Sequence, residues 1–221
     1  MKIEELEKIL LENKNEEVAL IQQKYMKNTC LFLGLSQKEL GVLSKDFIAC
    51  HKKDSIDEIM KLVHELSNKK YRDFYYIAIS LLKTNIKNLR YKDILELTKI
   101  ATTISPWWNT TDSANLVVRR WFLLKENRKY LEKYILKNIN SKNKWVIRMG
   151  IICQLCMKEE VNLDLVNIII EKTYQSSEFF IQKALGWLLR DISYTFPLYI
   201  RKVVDGYNLK PVTLREAKKY I

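Results

Sequence analysis

Ser105-Pro106-Trp107-Trp108-Asn109-Thr110-Thr111-Asp112 is the stretch around which the rest of the chain is organised. Ser105 followed by Pro106 predicts a helix start, because proline's missing N–H costs nothing at the first helical position and its φ is already suitable. Trp108 and Asp112 then lie one turn apart on the same helix face. Trp107, turned by about 100° on an ideal helix, is expected to face a neighbouring helix. An indole beside a carboxylate suits a flat or cationic ligand. The same residues also suit a plain helix start, with a tryptophan anchor in the core and an early aspartate complementing the helix dipole.

Working outward, the chain from Ser55 onward shows helical apolar periodicity, with polar breaks near Asn68, Asn88, Ser105, Asn127, Asn140, Glu160 and Gln175. No stretch alternates as a strand. The breaks bracket helix pairs, and Tyr71, Trp108, Trp145 and Ile181 fall near the starts of the second helices at spacings of 37, 37 and 36. That period is close to paired-helix solenoids of the HEAT and armadillo kind. The expected fold is therefore all-α: a right-handed HEAT-like helical-repeat solenoid, an α-α superhelix forming one domain over residues 1–221. If equivalent helices stack side by side, Trp108, Asp112, Lys144, Arg148, Lys183, Trp187 and Arg190 line one concave basic cleft. Cations interleaved with aromatics suit a phosphate backbone with flat groups to pack on. Arg148 and Arg190 could instead pair with acidic residues of the next repeat.

Toward the N-terminus, Glu4 to Asn13 and Glu16 to Met26 read as two amphipathic helices. Phe32-Leu33-Gly34-Leu35-Ser36 reads as a turn, with Ser36 and Glu39 at capping-box spacing. A third helix is expected to run to about Cys50.

Composition agrees with a helical, ordered chain. Of 221 residues, 48% are hydrophobic, with only 5 glycines and 3 prolines. The 38 lysines and arginines against 26 aspartates and glutamates give a net charge of +12, which favours polyanions such as nucleic acid. Cys30, Cys50, Cys153 and Cys156 come with a charged N-terminus and no secretory pattern, so reduced thiols in a cytoplasmic protein are expected. Cys153 and Cys156 have metal or redox spacing, but they sit in an apolar run without a second such pair, so they read as core. No apolar run is long enough for a membrane span.

At these residues the chain resembles the AlkD-like DNA alkylation repair family, the HEAT-like-repeat alkylpurine DNA glycosylases. The resemblance spans nearly the whole chain. It is carried by Tyr25-Met26-Lys27-Asn28, Leu31-Phe32-Leu33-Gly34, Trp107 to Ser113, Trp145-Val146-Ile147-Arg148, Glu178 to Arg190, and Leu214-Arg215-Glu216-Ala217. It implies a monofunctional glycosylase that removes cationic alkylated purines, such as 3-methyladenine and 7-methylguanine, from double-stranded DNA without a base-flipping pocket. It further implies that Trp108, Trp187 and Asp112 face the lesion, that Arg148 contacts the DNA backbone, and that Tyr25 helps close the cleft. The chain departs from the family pattern where Lys38 and Leu40-Gly41 replace a proline and an arginine pair, and where Asn109 replaces an acidic residue.

The chemistry is consistent with that resemblance. An N-alkylated purine is already cationic, so it leaves as a neutral molecule and needs no strong general acid. Charge develops instead on the deoxyribose, as an oxocarbenium ion. A carboxylate at Asp112 can stabilise that ion and orient water, while the indoles of Trp108 and Trp187 offer negative quadrupoles. Tyr25, Lys144, Arg148, Lys183 and Arg190 are the expected DNA contacts of a monomer that needs no metal, cofactor or membrane. Two other readings stay open at this point: a non-catalytic binder of DNA structure on the same fold, and a helical-repeat scaffold for protein interaction.

Overall fold

Apolar residues recurring every three to four positions fold the chain into helices throughout. The computed structural model of the protein describes all its residues, Met1–Ile221. Fourteen α-helices follow in order: α1 (Ile3–Glu12), α2 (Glu16–Tyr25), α3 (Gln37–Leu43), α4 (Lys45–Cys50), α5 (Ile56–Ser67), α6 (Arg72–Thr84), α7 (Tyr91–Thr103), α8 (Trp108–Leu123), α9 (Leu131–Ile139), α10 (Lys144–Ile152), α11 (Leu163–Thr173), α12 (Phe179–Ser193), α13 (Pro197–Gly206) and α14 (Pro211–Ala217). There is no strand, and one isolated bridge joins Leu31 to Tyr71. This is an all-α helical-repeat fold. The second helices α6, α8, α10 and α12 begin at residues 72, 108, 144 and 179, so the spacing read from Tyr71, Trp108, Trp145 and Ile181 marks their starts. No helix is long and apolar enough to cross a membrane.

The residues form two compact units, Met1–Ser113 and Ala114–Ile221. In the first, α5 packs on α6 and α7, and α3 packs on α1 and α6. Leu6, Leu33, Phe47, Ile59, Phe74 and Ile77 are fully buried among them. The loop after α2 is tied to α6 by two bonds: Arg72 N donates to Leu31 O at 2.9 Å, and Leu33 N donates to Asp73 Oδ2 at 2.8 Å. Gly34 follows with φ +81°, and a Cβ there would lie 2.0 Å from Asn15 O. Only glycine fits such a left-handed, close-packed position. The approach lets Asn15 N donate to Leu33 O at 2.9 Å while Asn15 Oδ1 caps α2 by accepting from Val18 N. Ser36 and Glu39 form the expected capping box of α3.

Two local expectations change. The third helix is broken into α3 and α4, where the buried Ser44 hydroxyl donates to Leu40 O at 2.6 Å. Serine bonding back to a preceding carbonyl competes with regular helix. Helix α8 begins at Trp108, not Pro106, because Ser105 adopts φ +43° and turns the chain before the helix can start.

In the second unit, α9 packs on α10, α10 on α12, and α12 most extensively on α14. Trp121, Phe122 and Tyr134 fill its centre. Cys153 is buried there, donates to Gly150 O at 3.2 Å, and has its thiol pushed up by burial. It is a core residue, as its apolar surroundings suggested; Cys156, expected in the core with it, is instead exposed, because the chain turns there with φ +61° and its backbone N donates to Asp191 Oδ2 at 2.7 Å.

Candidate active site and nucleic-acid interface

Three side chains of α6 fasten the head of α8. Arg72 Nη2 donates to Ser105 O at 2.9 Å, Tyr75 Oη donates to Thr110 O at 2.9 Å, and Asn109 Nδ2 donates to Tyr76 Oη at 2.8 Å. Locally, Thr110 Oγ1 accepts from Trp107 N at 2.9 Å and donates to Trp107 O at 2.7 Å. The first turn of α8 is therefore held from both sides. Burial raises the Tyr76 phenol, opposed by its bond from Asn109, so the pair is a neutral amide–phenol contact at physiological pH.

That turn presents Trp108 and Asp112 half-buried, with Thr111 Oγ1 donating to Trp108 O at 2.9 Å and lying 3.4 Å from Asp112 Oδ1. Trp107 and Trp108 both pack against the small apolar cluster of Ala19, Met26 and Phe32, as do Cys30 and Tyr76. The expected division, with Trp107 inward and Trp108 outward, is thus softer: both indoles are half-buried. Tyr25, at the end of α2, is 69% exposed. Its ring meets Trp108 edge-on, with centroids 6.0 Å apart and planes at 85°, a favoured geometry for two aromatic quadrupoles. The structure therefore brings together Tyr25 and Trp108, and places Asp112 one turn along.

In the second unit the cations lie on α10 and α12. Lys144 sits 5.8 Å over the Trp145 ring and donates to Glu178 Oε2 at 3.1 Å. Arg148 is buried, at 3% exposure, and donates from Nη1 to Phe180 O at 2.9 Å. It braces the head of α12. Along α12, Lys183, Trp187 and Arg190 are the half-buried residues between buried neighbours, at spacings of four and three that make a single face. Lys183 Nζ bonds Glu216 Oε1 and Arg190 Nη1 bonds Glu216 Oε2, both closely. The alternative of pairing with an acidic residue of the next repeat thus applies to Arg190 and also to Lys183. The Lys183 bond, followed by Arg190's charge, holds the Glu216 carboxyl below its ordinary range against the opposing effect of burial.

Residues 6–221 match the family model described as DNA alkylation repair enzyme. The chain belongs to the DNA alkylation repair enzyme family. A solved structure, a predicted DNA alkylation repair enzyme from Enterococcus faecalis, is similar with a TM-score of 0.89 at 27% identity, covering 94% of this chain and 96% of that one. No curated protein matches the sequence.

Within this family member, two groups near the site escape a reading of local sequence. Arg72 is a buried cation 33 residues from the carbonyl it holds, and only the pairing of α6 with α8 reveals its role. Glu216 is similarly remote from Lys183 and Arg190; its one signal is Gly186, a glycine inside α12 where a Cβ would lie 2.8 Å from Glu216 Cβ. Asn109, which departs from the family pattern, is 4% exposed and uses its amide on Tyr76. No group of three or more histidine, cysteine, aspartate or glutamate side chains is arranged to hold a metal ion.

Proposed function

We propose that this alkylation repair protein is a monofunctional DNA glycosylase that hydrolyses the N-glycosidic bond of cationic alkylated purines, 3-methyladenine and 7-methylguanine, in duplex DNA. The observation that carries the reading is Asp112 one turn beyond Trp108 at the fastened head of α8, in a chain matched to the family over residues 6–221. In this reading the bond from the sugar C1′ to the purine breaks first, and its electron pair leaves with the base, which becomes neutral. The Asp112 carboxylate stabilises the oxocarbenium ion left behind and orients the attacking water, which forms the new C1′–O bond and loses its proton. Trp108 and Trp187 offer their ring faces to cationic centres, and the exposed Tyr25 packs over the nucleotide. No pocket for a flipped base is invoked. The chain acts as a single functional domain and as a monomer.

Lys144, Lys183 and Arg190 carry the phosphate contacts, since each retains exposed side chain: 42%, 41% and 26% respectively. Arg148, buried against Phe180 O, serves the interface by fixing the head of α12. The test is incubation with duplex DNA treated with a methylating agent, followed by chromatographic identification of released base. Release of 7-methylguanine or 3-methyladenine supports the reading. Tight binding without release would favour the non-catalytic binder, and negligible binding at physiological salt the protein scaffold.

A further inference from the structure

Glu216 sits where a DNA-binding surface has least use for negative charge. The carboxylate is nearly buried, with 10% of the side chain exposed, and it gives one oxygen to Lys183 and the other to Arg190. These two cations are the neighbours of Trp187 along the exposed face of α12, four residues before it and three after. The close approach of α14 that makes this possible depends on Gly186, where a Cβ would meet Glu216 Cβ at 2.8 Å and Thr213 Cα at 3.2 Å. Thr213 adds a second fastening, its Oγ1 bonding Gln182 Oε1 at 2.5 Å and Gln182 O at 3.0 Å.

If affinity for a polyanion were all that mattered, a neutral residue at 216 would serve better. A carboxylate there cancels one of two positive charges. What it supplies instead is direction, because long lysine and arginine side chains otherwise sample many rotamers. An ammonium has three N–H donors and a guanidinium five. One bond from each to Glu216 therefore leaves donors on both, on residues that flank Trp187 along α12.

We infer that Glu216 is a positioning residue: it holds Lys183 and Arg190 as a preset pair for one DNA phosphate, so that Trp187 is placed against the deformed nucleotide. This rests on the glycosylase reading above. Isolated exposed ion pairs contribute little, but here two cations share one nearly buried anion, and the geometry is fixed by the packing of α14 on α12.

The experiment compares wild type, Glu216→Gln and Ile135→Val in single-turnover release of 7-methylguanine, in duplex affinity at two salt concentrations, and in thermal melting. Glu216→Gln is expected to bind undamaged duplex as tightly as wild type or more tightly, yet to release base about tenfold more slowly or worse, as misplaced contacting groups do. Its preference for duplex carrying an abasic-site analogue over undamaged duplex should fall in parallel. Ile135→Val trims a fully buried side chain of α9 in the same unit, outside the α12–α14 junction, and is expected to lower the melting temperature while leaving rate and preference unchanged at temperatures where it is folded. Should Glu216→Gln melt below the assay temperature, Glu216→Asp keeps the charge but is one methylene too short to span both cations, and the same losses are expected of it. A wild-type rate and preference in the Glu216 variants would overturn the inference, as would losses that Ile135→Val shares in proportion to its melting. Failure of the wild type to release any base overturns the glycosylase reading instead, and the damage preference then decides the role of Glu216.

Discussion

Replacing Gly34 with alanine should show how firmly the Tyr25 helix is seated. The new Cβ would lie 2.0 Å from Asn15 O, 2.8 Å from Ala19 N and 3.0 Å from Asn15 C, all of them backbone atoms that cannot rotate aside. Ordinary contact begins near 3.4 Å, so the start of α2 must move away by about 1.4 Å. The left-handed φ of +81° adds about 1–2 kcal/mol for any residue with a Cβ. Forcing a methyl group into packed surroundings costs about 1–3 kcal/mol, and straining the bond from Asn15 N to Leu33 O about 1 kcal/mol more. The expected loss is about 3–6 kcal/mol, a large part of the roughly 5–15 kcal/mol that stabilises a typical domain. Urea unfolding followed by tryptophan fluorescence would measure it, since Trp107 and Trp108 lie in the same unit as Gly34. At the far end of α2, the edge contact of Tyr25 with Trp108 should loosen as well, and base release should slow in step. A loss of less than about 1 kcal/mol would refute the reasoning, because strain in the left-handed region alone exceeds it.

Three further outcomes are expected. Asp112→Asn should slow release of 7-methylguanine by about 10²–10³-fold, typical of losing one electrostatic stabiliser, while duplex affinity stays near wild type; release at the wild-type rate would remove Asp112 from the chemistry. Gly41→Arg should tighten duplex binding and steepen its salt dependence by about one phosphate equivalent, since a Cβ at Gly41 meets nothing within 4 Å and an added cation has room to reach a polyanion; an unchanged salt slope would place α3 outside the interface. Because the Glu216 pKa is held down in the folded protein, its stabilising effect is fully present above the ordinary glutamate value of 4.5 and is lost as pH falls through the depressed value. The stability gap between wild type and Glu216→Gln, measured by denaturant unfolding, should therefore close on acidification below 4.5 and stay constant between pH 6 and 8.

The parts legible in the sequence are those set by neighbours close along the chain. Ser36 and Glu39 cap α3 because a serine hydroxyl and a glutamate three residues on need only one turn to meet. The repeat spacing of Tyr71, Trp108, Trp145 and Ile181 marked the second helices because each pair must bury one apolar face against the next. What stayed hidden was set by partners far along the chain. Pro106 looked like the first residue of α8, yet Ser105 turns the chain and Arg72, 33 residues earlier, holds its carbonyl. Arg148 matched a backbone-contacting arginine by motif, but only the packed structure shows it buried against Phe180 O. Lys183 reads as a bare cation and Arg190 as one that could pair with some acidic residue of the next repeat, but their shared partner stays hidden because Glu216 lies 33 and 26 residues beyond them.

The cysteines acquire a meaning from the hazard this family counters. Electrophiles that methylate purine nitrogens also methylate thiolates, so a repair protein meets the same reagents as its substrate. Cys153 is shielded twice, by full burial and by a thiol pushed up far from ionisation. Cys50 and Cys156 are exposed, Cys156 with its backbone N bonded to Asp191 Oδ2 at 2.7 Å. Cys30 is different: it is half-buried in the layer where Met26, Phe32, Tyr76, Trp107 and Trp108 meet. A methyl group added to that sulfur would enlarge the very layer that seats Trp108, so that alkylation of this one thiol would be felt directly by the indole.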